Sequence, residues 1–163
     1  MSDLLVKLYD LPEARPPCEA LRGQGIAIRP ARAYEKRHVA EWVRSRFGDG
    51  WASECEVAFG SHPIGCFLAT RDGRILGFAC CDATFKGFFG PLGVAEEARG
   101  AGVGSALLLR ALQALAEAGY AYAVIGGAEA TEFYARAVGA VEIPGSSPGP
   151  YRDRLQRPDD GPG

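Results

Sequence analysis

The clearest hydrophobic pattern in the chain follows a cluster of three glycines and covers residues 103–119. Within this stretch the polar residues Arg110, Gln113 and Glu117 are spaced three and four apart, and most other positions are Leu or Ala. A single narrow polar stripe indicates a helix that packs deeply against a sheet. Gly119 is expected to end this helix just past its last turn.

Shorter apolar runs bounded by turn residues predict strands at 4–8, 26–31, 66–70, 74–84, 88–94, 120–126 and 140–144. Helical spacing of apolar residues predicts further helices at 34–47, 53–59 and 130–138. Asp72–Gly73 predicts a tight hairpin. Pro91 removes a ladder donor from its strand, so a bulge or splay is expected there.

The length of 163 residues predicts one domain over 1–163, with an N-terminal strand and arm (1–25), a core (26–143) and a tail (144–163) whose end is disordered. Apolar residues make up 47% and the net charge is −2. This balance is typical of a soluble protein and disfavours nucleic-acid or membrane-surface partners. Without an 18-residue apolar span or a basic leader, we expect a cytoplasmic protein.

The chain has an odd number of cysteines, and their spacing matches no zinc motif: Cys18, Cys55, Cys66, Cys80 and Cys81. We therefore expect reduced, mostly buried thiols and no metal site. A redox role for Cys80 with Cys81 is disfavoured because successive strand side chains point to opposite faces.

A glycine-rich turn between a strand and a helix, "GAGVGS" at 100–105, predicts an anion site. The first N–H groups of a helix lack partners, its dipole favours an anion, and glycines allow close approach. Arg99 would add a charged contact and Ser105 a hydroxyl. A Walker loop is excluded because no lysine follows Lys86, and a Rossmann fingerprint is disfavoured because "VIGG" at 124–127 ends in no acid.

Residues 99–104, "RGAGVG", fit the pattern R/Q-x-x-G-x-G/A, and in this the chain resembles the GCN5-related N-acetyltransferases. The resemblance extends over about residues 26–143, through "IAIRPA", the strand, loop and helix of 90–120, and "ATEFYARAVGA". Two positions depart from the family pattern. Gly127 stands where many members have Asn, and the strand 88–94 carries no ionisable side chain.

The resemblance implies a mixed α/β sheet, flanked by helices, whose two central strands splay apart around acetyl-CoA. It implies transfer of the acetyl group to a primary amine of a small molecule or peptide, by direct attack in a ternary complex, and a possible homodimer. Residues matching the family's cofactor positions are the strand residues Leu92, Gly93 and Val94 and the loop residues Arg99, Gly100, Ala101, Gly102, Val103, Gly104 and Ser105. Tyr134 matches the tyrosine near the thioester sulfur, a candidate general acid.

The general base is left open by the sequence. An amine with a pKa near 10 must lose a proton before it attacks. Glu54, on the second predicted helix, is one candidate for the base or the acceptor site, and a solvated helix carboxylate is the alternative reading. The others are Asp82, Glu129, His38 and His62.

Two other functions compete with acetyl transfer. A non-catalytic acyl-CoA-binding module would use the same loop without chemistry. A serine hydrolase would use "GSSPG" at 145–149, but the prolines around Ser147 favour a turn over a nucleophile elbow. The tail after this turn is expected to fold back over the acceptor pocket, which would bring Tyr151 or Arg152 near the substrate.

Overall fold

The computed structural model describes residues 1–156 and contains one seven-stranded mixed sheet. The strands are β1 (Leu4–Lys7), β2 (Ala27–Pro30), β3 (Cys66–Arg71), β4 (Arg74–Cys81), β5 (Phe88–Val94), β6 (Tyr122–Ile125) and β7 (Val141–Glu142). Their order across the sheet is β2-β3-β4-β5-β6-β1-β7. Every pair is antiparallel except β5 with β6.

Helices cover both faces of this sheet. They are α1 (Arg15–Arg22), α2 (Lys36–Phe47), α3 (Asp49–Phe59), α4 (Val103–Glu117) and α5 (Thr131–Val138). One core contains residues of α1, α4 and α5, and the other contains residues of α2 and α3. As the narrow polar stripe predicts, α4 buries most of its surface, including Leu107, Leu108 and Leu112. No helix within residues 1–156 is long and apolar enough to cross a membrane.

The sheet splits at β5, which is the feature that creates a site. β5 follows β4 along most of its length, from Val94 opposite Gly77 to Phe89 opposite Cys81. It pairs with β6 only at Phe88 and Phe89. The register of β4 with β5 shifts next to Gly90–Pro91, which confirms the irregularity expected at Pro91. Beyond Phe89 the two strands separate, and a V-shaped gap opens between them.

The N-terminal segment has the expected strand, β1, but contains a helix where an arm was expected. β1 lies inside the sheet, between β6 and β7, and residues 15–22 form α1. Leu4 and Val6 on β1 are buried in the core, as is Leu21 on α1. The two prolines of "RPPC" occupy the first turn of α1, where a missing N–H removes no intrahelical bond.

Other boundaries move by a few residues. α3 begins at Asp49 rather than at 53, so Gly50 lies inside this helix. The last strand shrinks from 140–144 to two residues because it pairs only with the short β1. The hairpin at Asp72–Gly73 is confirmed, with φ of 51° and 71°. The disorder expected at the end of the tail falls partly on residues 157–163, outside the described residues.

Candidate active site

The glycine-rich loop presents unpartnered N–H groups at the start of α4. Gly100 and Gly102 both have φ of +87°, a left-handed conformation that glycine adopts without strain. The N–H of Ala106 donates to the Gly102 carbonyl at 3.1 Å, so the helical ladder starts there. Within residues 1–156, the three preceding N–H groups, from Val103 to Ser105, have no acceptor. These groups form a positively polarised cradle for an anion.

A pocket of about 260 Å³ lies in front of this cradle. It is lined by Val94, Ala98, Arg99, Gly100, Gly102, Val103, Gly104, Ser105 and Phe133. A Cβ at Gly104 would meet Val94 at 3.6 Å and Phe133 at 4.0 Å, so the glycine keeps the pocket open. Glu97, which precedes Arg99 by two residues, is paired with Arg46 of α2 at 3.0 Å.

The backbone of β5 offers hydrogen-bonding groups to the V-shaped gap. The N–H of Ala95 donates to the Leu76 carbonyl at 2.8 Å, so Ala95 faces β4. Because hydrogen-bonding direction alternates along a strand, the N–H and C=O groups of Leu92 and Val94 point away from β4. They face the side where β6 has already separated. An extended ligand in the gap would find these groups unpaired.

Gly93 has a packing role in addition to its predicted place in the site. A Cβ there would lie 2.7 Å from the Phe47 ring and 2.9 Å from Phe78. Phe47 stacks on Trp51 at 5.2 Å between ring centroids, so the corner of α2 and α3 rests against β5 at this point. Only glycine lets this corner approach so closely.

Tyr134 lies at the closed end of the gap. Its ring packs against Phe89, the last residue of β5 that pairs with β6, at 6.3 Å, and against Phe133 at 5.1 Å. The phenol makes no hydrogen bond to residues 1–156, and it is not among the fully buried polar groups, so its oxygen is accessible from outside the core. Burial of the side chain raises the pKa of Tyr134 above its usual value, so the phenol keeps its proton at neutral pH.

Glu54 lies on the opposite face of the sheet, on α3. Thr84, in the loop after β4, donates a 2.5 Å hydrogen bond to its carboxylate. Tyr151, in the short helical turn Gly149–Tyr151, packs on Phe85 at 6.2 Å. Burial, then the negative charge of Asp3 and then that of Glu54, raises the pKa of Tyr151. The tail folds back to this region, where Tyr151 is partly buried and Arg152 is exposed.

The remaining candidate bases occupy structural or exposed positions. Asp82, with φ of 55°, accepts a 2.6 Å hydrogen bond from the Gly87 N–H and so organises the loop before β5. Glu129, His38 and His62 are exposed. Ser147 is part of a turn, as expected, and its hydroxyl accepts from the N-terminal amine at 3.3 Å.

The structure thus lines one pocket with Val94 and with the predicted loop residues other than Ala101, whereas Leu92 and Gly93 lie further along β5 and outside the pocket lining. Tyr134 packs in the core on the α4 side of the sheet, and Glu54 lies on α3, on the other side. Sequence reasoning missed Phe133 and Thr84. Phe133 lies next to Tyr134 in the matched segment, so helical geometry offered a signal for it. Thr84 belongs to no motif and gave none. The three cysteines that converge under α3 were also missed.

A sheet that splays beside an anion-binding helix start defines the acyl-CoA N-acyltransferase class of fold. A family model described as the acetyltransferase (GNAT) family matches residues 31–140, and the chain belongs to that family.

Solved structures support the fold. A GCN5-related N-acetyltransferase from Sphaerobacter thermophilus has a TM-score of 0.67 and 22% identity, covering 87% of this chain and 48% of its own. A GCN5-related glucosamine N-acetyltransferase region of a fungal multi-domain GH3 β-N-acetylglucosaminidase has a TM-score of 0.70 and 16% identity, covering 87% and 19%. A GCN5-related N-acetyltransferase from Kribbella flavida has a TM-score of 0.54 and 19% identity, and the match covers 86% of this chain and 53% of that chain. This chain spans about half of those two bacterial chains and a fifth of the fungal one. A search of curated proteins found no match.

Proposed function

We propose that the chain transfers the acetyl group of acetyl-CoA to a primary amine of a small molecule or peptide, by direct attack while both substrates are bound. The observation that carries this proposal is the pairing of two binding elements. Unpartnered N–H groups at the start of α4 suit a pyrophosphate, and the unpaired edge of β5 suits an extended amide chain. A single ligand with both chemical features fits both elements.

The binding roles follow from these positions. The N–H groups of Val103, Gly104 and Ser105 would hold the pyrophosphate, with Arg99 supplying charge. The backbone groups of Leu92 and Val94 would pair with the amides of the pantetheine arm. The arm would then lead the thioester towards Phe89 and Tyr134, where the gap closes.

The reaction requires a base, a hydrogen-bond donor for the oxyanion and a proton donor for the leaving thiolate. Glu54, directly or through a water, would take the proton that the attacking ammonium must lose. A free backbone N–H of β5 near the closed end of the gap would donate to the oxygen that becomes negative as nitrogen adds to the carbonyl carbon. When the carbon–sulfur bond breaks, Tyr134 would donate its proton to the departing thiolate. Its raised pKa keeps that proton available at neutral pH.

The acceptor would approach from the side of α3. Trp51 precedes Glu54 by one helical turn, and Phe85 follows its partner Thr84. Both aromatic side chains are partly exposed, and Phe88 packs on Phe85 at 5.1 Å, so apolar surface flanks Glu54. Such a surface suits an amine attached to an apolar or ring-containing group. The fungal region is described as a glucosamine N-acetyltransferase, so glucosamine belongs in an acceptor panel, although 16% identity carries the fold alone.

The first experiment is calorimetric titration of acetyl-CoA into the wild type and into Gly104→Glu. Gly104 has helical backbone geometry, so the substitution adds a side chain and a negative charge to the pocket without the strain expected at Gly102. Gln113→Glu makes the same kind of charge change at an exposed position of the same helix and is the matched control. We expect binding in the wild type and control and its loss in Gly104→Glu. No binding by the wild type would overturn the proposal.

The second experiment separates an enzyme from a non-catalytic acyl-CoA-binding module. Release of free CoA thiol is followed while a panel of primary amines is added to the protein with acetyl-CoA. Amine-dependent release above the rate of hydrolysis supports the enzyme. Binding without release for any amine of the panel would favour the binding module.

A further inference from the structure

Three cysteine thiols converge between α3 and the sheet. Cys66 on β3 and Cys80 on β4 are directly opposite each other in the antiparallel register, so their side chains share one face. Cys55, on α3, packs against these two residues. The three sulfurs lie within 4.8 Å of one another, and that of Cys55 is 3.9 Å from that of Cys66. The sequence spacing conceals this cluster, because each thiol comes from a different element.

The cluster lies in an entirely apolar environment. All three residues are 0% exposed, and their neighbours in this core are alanine, valine, leucine and phenylalanine side chains, with Phe78 and Leu68 among the most deeply buried. Within residues 1–156, no fourth His, Cys, Asp or Glu joins the group. Cys81, next to Cys80 in sequence, belongs to the core on the opposite face of the sheet.

The sulfur positions suit a three-coordinate ion. With a sulfur–ion distance of about 2.3 Å, two sulfurs bound to one ion lie about 3.4–4.0 Å apart, from a pyramidal to a planar arrangement. The Cys55–Cys66 separation of 3.9 Å already meets this requirement. Three thiolates without a fourth donor disfavour zinc, which takes four ligands in structural sites.

The charge of the bound ion decides among the soft ions that thiolates select. Three thiolates carry a charge of −3. Copper(I) would leave a net charge of −2 and zinc(II) a charge of −1, and among residues 1–156 no buried cationic side chain offsets either charge. A buried uncompensated charge is strongly unfavourable, whereas a trivalent ion gives a neutral complex.

We propose that Cys55, Cys66 and Cys80 form a buried binding site for a trivalent thiophilic ion, with arsenite as the probe. Arsenous acid, As(OH)3, reacts with three thiols to give one As(S-Cys)3 centre and three waters. Three arsenic–sulfur bonds form and three arsenic–oxygen bonds break. Each thiol proton leaves with one hydroxide, and arsenic remains trivalent, so the step needs no oxidant or reductant.

Entry requires a local opening of the structure. Because the three residues are 0% exposed, arsenous acid reaches them only when α3 separates from β3 and β4. The ligand is small and uncharged at neutral pH, which favours its passage through an apolar layer.

The test measures arsenic retained per chain. The protein is incubated with arsenite in a phosphine reductant, freed of unbound arsenic by gel filtration, and analysed for arsenic and protein. We expect one arsenic per wild-type chain and its loss in Cys55→Ala, Cys66→Ala and Cys80→Ala. Cys81→Ala and Cys18→Ala are the matched controls and should retain one. Equal retention in the first three variants, or loss in Cys18→Ala, would overturn the proposal.

A second measurement on the wild type does not depend on any variant folding. X-ray absorption of the arsenic-loaded protein should show three sulfur neighbours and no oxygen. Two sulfurs with one oxygen would show that only two thiols had bound the arsenic and would overturn the three-sulfur site. An absence of retained arsenic under conditions where the protein opens and refolds reversibly would do the same.

Discussion

Asp3 accepts a 2.8 Å hydrogen bond from the backbone N–H of Gly127, 124 residues further along the chain. Asp3 is 4% exposed, and among residues 1–156 it is the one charged residue that is buried. Its own N–H donates to the Ser146 hydroxyl at 2.8 Å, and its carbonyl accepts from Ile143 at 2.9 Å. One residue therefore joins the N-terminal strand, the turn after β6 and the segment after β7.

Replacing Asp3 should destabilise the protein through that turn. Asp3→Ala leaves the Gly127 N–H without its acceptor and should lower the free energy of unfolding by about 1–3 kcal/mol. Asp3→Asn keeps an acceptor oxygen and should reduce the free energy of unfolding by a smaller amount. Urea denaturation measures both. Asp10→Ala, an exposed aspartate near the same end of the chain, should change stability little. A loss as large in that control would contradict the role assigned to Asp3.

Sequence patterns predicted what depends on local chemistry. The three glycines marked the loop because backbone at φ of +87° favours that residue, and the apolar surface of α4 marked the helix beneath the sheet. Pro91 marked the irregularity of β5 for a similarly local reason.

Features that depend on distant partners could not be read in the same way. The place of β1 between β6 and β7 depends on a pairing over more than a hundred residues. The contact of Thr84 with Glu54 and the convergence of Cys55 with Cys66 and Cys80 depend on how α3 docks on the sheet. Neither leaves a spacing in the sequence, because the partners lie on separate elements.

Glu35 should make stability depend on pH in the acidic range. The hydrogen-bonded Arg29 guanidinium, 2.6 Å away, is the main reason that the pKa of Glu35 falls to about 2. Because the folded pKa lies below the unfolded value near 4.5, the stabilisation is present above about pH 5. It is lost as pH falls towards 2.

The measurement is urea denaturation of the wild type and Glu35→Gln across this range. The variant should be less stable by about 1–3 kcal/mol at neutral pH, and the difference should shrink between pH 5 and 2. Glu132→Gln removes an i,i+4 pair with Arg136 that is more than four-fifths exposed, and it should show no such trend. A stability difference between Glu35→Gln and the wild type that stays constant with pH would contradict the role given to the Glu35 carboxylate.

Glu54→Gln tests the base of the proposed reaction. The amide cannot accept the ammonium proton, so kcat should fall by about 10²–10⁴ while the affinity for acetyl-CoA is unchanged. Thr84→Val removes the hydrogen bond that positions the carboxylate and should lower kcat by a smaller factor. Glu56→Gln, an exposed carboxylate two residues along α3, is the control. Unchanged turnover in Glu54→Gln would move the base elsewhere or to water alone.

Tyr134→Phe tests the proton donor and separates it from a packing role. The ring contacts with Phe89 and Phe133 remain, and the lost hydroxyl has no hydrogen-bond partner within residues 1–156, so thermal stability should change little. Turnover should fall because the departing thiolate no longer receives a proton, whereas acetyl-CoA should bind as before. With an acyl thioester whose thiol is more acidic, the difference in turnover between the variant and the wild type should therefore be smaller. Tyr9→Phe, which changes an exposed phenol, should have wild-type turnover. If Tyr134→Phe instead lost stability and acetyl-CoA affinity together while turnover of the bound complex was unchanged, Tyr134 would be a packing residue and the proton would have to come from solvent.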